Sequence, residues 1–141
     1  MSAMPPESHP DVSAPGVVSL ASSYSVAETI QRLEDTARAR GLTIFARIDH
    51  HGEAERAGLR MQEAQLVIFG SPKGGTPLMV AAPLLALDLP LKALVWQDRD
   101  GHVWVSYNST AYLADRYAIP DDLVKSIAWI DIFMQSVVRQ T

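Results

Sequence analysis

The chemistry this sequence offers is concentrated in one short stretch, IFGSPKGGTPLM at residues 68–79. Two apolar residues run into Gly70, Gly74 and Gly75, with Lys73 among the glycines and Thr76–Pro77 behind them. A glycine-rich turn that feeds a helix N-terminus presents backbone N–H groups at the positive end of the helix dipole, a seat for phosphate or carboxylate. Lys73 would add a charge there and Thr76 a hydroxyl. Gly70 and Gly75 have the separation of the phosphate-loop pattern G-x-x-x-x-G-K-[ST], but Thr76 stands where that pattern requires lysine. Without that lysine, nucleotide hydrolysis loses its main electrostatic clamp, which excludes a P-loop NTPase. The competing reading is architectural. The three glycines then supply positive φ angles, while Thr76 caps a helix whose first residue is Pro77.

Other reactive residues are scattered. Asp88 and Lys92 flank LPL between two apolar stretches. A carboxylate and an ammonium beside a core are costly unless they pair, so they form a structural ion pair or place Lys92 near the 68–76 loop to bind an acid with it. DHH at 49–51 suggests metal or acid–base chemistry through Asp49 and His50. Adjacent strand residues, however, point to opposite faces, which disfavours a joint metal site. His50 titrates near neutrality and remains a candidate base, as does Asp49. There is no G-x-S-x-G elbow and no cysteine, and His102 falls in a hairpin turn. No metal or cofactor is expected.

These residues need a scaffold. The 141 residues suit a single core, with 48% hydrophobic and 20% charged residues. A net charge of −4 without a basic cluster argues against nucleic acid as a partner. Absence of cysteine excludes disulfides and thiolate metal sites and is consistent with a cytoplasmic protein. The N-terminal stretch lacks the basic and apolar regions of a secretory signal. The apolar run around 77–96 is broken by Pro77, Pro83, Pro90, Asp88 and Lys92, so no membrane partner is expected.

Residues 1–16 contain four prolines and little apolar periodicity, which predicts a disordered tail before a single domain at 17–141. VVSLAS reads as the first strand. Ser25 and Glu28 form a capping box for a helix that Gly41 ends. LTIFARID alternates with Leu42, Ile44, Ala46 and Ile48 on one face. A short helix, the buried strand QLVIFG, a helix from Thr76 that Pro83 kinks or ends, and a hairpin KALVWQD–RDG–HVWVSY follow. A further short helix precedes one long helix to about residue 138. The last helix is apolar around much of its circumference, so Trp129 and Phe133 are expected to meet a partner subunit in a homodimer. The fold expected is α+β, a mixed sheet with a C-terminal hairpin and helices packed on it.

FARIDH and the long segment LVIFGSPKGGTPLMVAAPLLALDLPLKALVWQDRDGHVWVSYNSTAYL resemble the family named domain of unknown function 302. The resemblance extends over residues 17–139. It implies a small α+β layer of helices on a sheet, often paired as a homodimer, and implies no activity or site residues. His51 departs from the family pattern.

Three functions follow as expectations. One is a small cytoplasmic binding module holding an anion at Gly70, Lys73, Gly74, Gly75 and Thr76, with Lys92. Another is an interaction domain acting through the C-terminal helix. A third is a hydrolase or lyase in which Asp49 or His50 is the base, with Asp88 a further candidate acid or base.

Overall fold

The structure, a computed structural model, describes residues 12–139, so most of the expected tail lies outside the described residues. Five strands, β1 (Val17–Ser22), β2 (Thr43–Asp49), β3 (Ala64–Gly70), β4 (Leu91–Gln97) and β5 (Val103–Asn108), form one sheet in the order β1-β5-β4-β3-β2. The helices are α1 (Val26–Ala39), α2 (His50–Arg56), α3 (Pro72–Ala81), α4 (Thr110–Tyr117), α5 (Asp121–Ala128) and α6 (Ile130–Val138). The architecture is α+β, with the expected hairpin formed by β4 and β5.

Every strand pairing is antiparallel, where a mixed sheet was expected. The reason lies in the connections. Strands β1 and β2, joined by α1, occupy opposite edges and never pair. The excursion from β3 to β4 leaves beside Phe69 and returns beside it at Leu91, because Pro83 ends α3 and a 3-10 turn, Pro83–Leu87, doubles back. No helix runs the length of the sheet between paired strands, as a parallel crossover requires.

Helices α1 and α6 contact one another and the sheet. The core joins Val67, Phe69, Ala93, Val95 and Val105 of the sheet to Leu33 and Ala37 of α1 and Phe133, Met134 and Val137 of α6. Phe133 stacks on Phe69 with ring centroids 5.5 Å apart. Phe133 has no exposed surface, while Trp129, the other residue of the expected dimer face, is only partly buried. The expected long last helix is broken. At the α5–α6 joint the Trp129 indole donates to the Ser126 carbonyl at 2.9 Å, the oxygen a continuous helix would give to the Ile130 amide.

A β-bulge in β2 alters the expected alternation. Ile44 pairs with Phe69, yet Ala46 pairs with Ile68, leaving Phe45 as the extra residue. Beyond it each side chain changes face. Ala46 and Ile48 turn away from α1, and Arg47 turns toward it to grip the buried Glu34 at 2.6 and 3.0 Å. Local signals held elsewhere. Ser25 accepts from the Glu28 amide at 3.1 Å and donates to its carboxylate, while Gly41 and Gly101 adopt φ of +74° and +88°.

Candidate functional site

Strand β3 ends at Gly70, and Ser71 immediately caps α3. Its hydroxyl accepts from the Gly74 amide at 3.3 Å and its carbonyl from the Gly75 amide at 2.8 Å. The helix therefore starts at Pro72, not at Thr76. Gly74, Gly75, Thr76 and Pro77 all lie within it. None of Gly70, Gly74 and Gly75 has a positive φ, so the glycines are not there to turn the chain.

They leave room instead. A cleft of about 210 Å³ opens beside them. Gly70, Ser71, Gly74, Gly75 and Thr76 form one wall, Leu89, Pro90 and Leu91 a second, and Ser126, Ile127 and Trp129 a third, with Phe45 and Met79 completing it. A Cβ on Gly75 would sit 3.6 Å from Leu89 Cδ1 and 3.9 Å from Met79 Cε, and one on Gly74 would sit 3.8 Å from the Ser126 carbonyl. Side chains at these positions would grow into contact with the far wall. The bulge supplies Phe45, and the α5–α6 joint supplies Trp129, so two irregularities in the fold both serve this space.

The cleft is apolar in character. Its only polar side chains are those of Ser71, Thr76 and Ser126, and no charged side chain lines it among the described residues. Of the predicted ligand-binding set, Gly70, Gly74, Gly75 and Thr76 are brought together here. Lys73 is exposed outside the lining. Lys92 lies in register with Ile68 on the other face of the sheet, its ammonium 4.0 Å from Asp88. A bare phosphate would find Ser71 already holding two first-turn amides and Pro72 offering none.

Asp88 is tied into structure. It accepts from Arg116 at 2.9 Å and from the Tyr117 hydroxyl, besides its longer pairing with Lys92. Asp49 caps α2 by accepting from the Gly52 amide at 3.0 Å. Because Thr43 pairs with Gly70 and Asp49 with Gln65, Asp49 and His50 lie at the far end of β2, six residues or about 20 Å from the glycines. The structure thus places Asp49 and His50 apart from the glycines. His51, not His50, makes the local contacts. Its Nδ1 lies 2.8 Å from the Met61 carbonyl and its Nε2 3.2 Å from Glu55, and the carbonyl contact foremost raises its pKa above 6.5.

One cluster went unread in the sequence. At the β4–β5 turn, Asp98, Asp100 and His102 each bring a ligand-type atom within 4.8 Å of the others. Asp98 is buried, and its oxygens accept from the Asp100 and His102 amides and the Trp104 indole, each at 2.9 Å. Burial alone would raise its pKa, but those three donors outweigh it and hold the carboxyl below its ordinary value. This is the chemistry of a locked turn. The spacing D-x-D-G-H was the available signal.

The fold and the cleft together define a small helix-on-sheet domain with an open apolar cleft and no assembled catalytic constellation among the described residues. Residues 18–137 match the model of the family described as domain of unknown function DUF302, and the chain belongs to that family. A crystal structure of an uncharacterized conserved DUF302 protein from Bacillus stearothermophilus shares the fold, with a TM-score of 0.74 over 89% of this chain and 97% of that one at 18% identity. Over 104 residues, 74% of the chain, it is 43% identical to the fluoride-specific ion channel FluC 1 of Brucella suis biovar 1 (strain 1330) and to that of Brucella abortus biovar 1 (strain 9-941). The match spans only 41% and 38% of those two relatives.

Proposed function

We propose that this domain is a binding module for a small molecule with an apolar body and a compact polar or anionic head. The observation that carries the reading is the cleft walled by Gly74 and Gly75, whose missing side chains keep it open. The apolar body would lie against Phe45, Met79 and Trp129, and the head would meet the hydroxyls of Ser71, Thr76 and Ser126 at the mouth. Lys73 lies one helical turn from Thr76 and would reach an anionic head from outside. This refines the anion site expected from the sequence, because apolar walls favour the body of the ligand over a free anion.

Ion channels cross the bilayer on helices or closed barrels. No helix of the described residues here is long and apolar enough to do so. We therefore read the stretch shared with the Brucella channels as a domain appended to the pore in those proteins, a setting that suits a ligand-binding module. A cytoplasmic setting remains the expectation from the cysteine-free composition.

The test is a thermal-shift comparison of hexanoate, hexanol and inorganic phosphate on the wild type and on Gly75→Leu. A ligand at about 100 times its Kd adds roughly 2.7 kcal/mol, or several degrees in Tm. Hexanoate is expected to raise Tm in the wild type and to fail in Gly75→Leu. A shift with phosphate alone would restore the simple anion site, and no shift with any probe would remove the binding reading.

A further inference from the structure

We infer that the ligand of the cleft is a one-ring aromatic acid, and that Phe45 and Trp129 are the residues that select its ring. This rests on the cleft being a binding site and narrows what that site takes. The cleft measures about 210 Å³. An apolar cavity of roughly 150 Å³ already holds benzene, so the space suits one ring with a short acidic substituent.

The lining favours an aromatic body over an aliphatic one. Phe45 is 50% exposed at the β2 bulge, and among the described residues it takes part in no ring pair. Trp129 is held by two contacts. Its indole donates to the Ser126 carbonyl at 2.9 Å, and its ring meets Phe133 edge to face with centroids 5.6 Å apart. With its one donor used, Trp129 offers the cleft ring surface and no polar group. Met79 adds a thioether, which packs favourably at an aromatic edge. Offset and edge-to-face ring pairs gain more than their buried area alone provides. A flat ring also has a single rotatable bond to its carboxylate, where a saturated chain of similar volume must freeze several. The charges favour an acid. Lys73 and Lys125 stand next to lining residues in sequence, and the one acid that does so, Asp88, is already paired with Arg116 at 2.9 Å.

The experiment is isothermal titration calorimetry of the full chain with benzoate, cyclohexanecarboxylate and hexanoate. Benzoate and cyclohexanecarboxylate carry the same acid on rings of equal size, so the ratio of their affinities isolates the aromatic contact. The wild type is expected to bind benzoate about tenfold more tightly than cyclohexanecarboxylate. That ratio should fall toward one in Trp129→Leu and part of the way in Phe45→Leu, whose half-exposed side chain can change without disturbing the core. Benzoate bound no more tightly than cyclohexanecarboxylate, or a ratio that neither substitution lowers, would overturn the inference, while binding of hexanoate would leave the cleft itself standing as a site. Benzoate binding that survives Gly75→Leu would place the ring elsewhere and overturn it too. Binding of none of the three acids would remove both this inference and the binding reading of the cleft.

Discussion

Asp98 shows at the scale of one residue how a polar group is used in this protein. Its carboxylate is almost entirely enclosed, and it is tolerated because two amides and an indole satisfy it. The sign of its pH effect follows. With a folded pKa below the ordinary 3.8, the unfolded chain takes up the proton first as pH falls. The stabilisation is therefore complete above the unfolded value and is lost as pH drops through the folded one. Urea midpoints measured between about pH 2 and pH 5 should fall with pH in the wild type and much less steeply in Asp98→Asn. An equal slope in both would remove the role assigned to Asp98. The same turn shows how much a sequence reveals at this scale. RDG announced the hairpin and Gly101 took the positive φ it promised, but which carboxylate would be buried depended on Trp104, six residues away across the turn.

Among the elements, β2 and α3 carry the differences between expectation and structure. Leu42, Ile44, Ala46 and Ile48 alternate cleanly in the sequence, and one inserted residue in the ladder reassigns half of them. A bulge leaves little local trace, because it is selected by distant groups, here Glu34 on α1 waiting for a guanidinium. The pair yields a prediction. Arg47→Ala would leave the Glu34 carboxylate buried without its bidentate partner and should cost about 2 kcal/mol, discounted because Arg47 is itself partly exposed. A change in urea midpoint near zero would mean that the bulge is fixed by packing alone. In α3 the expected start was Thr76–Pro77, and Ser71–Pro72, five residues earlier, has the same Ser/Thr–Pro form. The earlier one prevails where the chain leaves β3 directly into the helix. That choice converts Gly74 and Gly75 from turn residues into the open wall of a cleft, which local propensity could not disclose.

At the scale of the whole molecule, α1 and α6 cover one face of the sheet, and the other mixes aliphatic and aromatic side chains with Lys92, Ser19 and Ser106. Strand β3 reads AQLVIFG and β4 LKALVWQ, nearly continuous apolar runs of the kind found where both faces are buried. Leu66, Ile68, Leu94 and Trp96 lie on the face opposite Val67, Phe69, Ala93 and Val95 and are only partly shielded. We propose this face as the contact of a homodimer, with two sheets packed at the usual spacing of about 10 Å. Leu94→Glu should convert a sedimenting dimer into a monomer. A wild type that sediments as a monomer at high concentration, or a dimer that Leu94→Glu leaves intact, would end the proposal. The α+β class and most element positions were legible from periodicity and caps. Strand order was not, because it depends on pairings between segments far apart in the chain.

The central claim is that the glycines of 70–76 hold open a ligand cleft, and its most direct test is an amide NMR titration of the full chain with hexanoate. Saturable shifts at Gly70, Gly74 and Gly75, together with the Trp129 indole and little change at Asp49 and His50, are the predicted result. Absence of saturable shifts, or shifts gathered at the Asp49 end of β2, would contradict it.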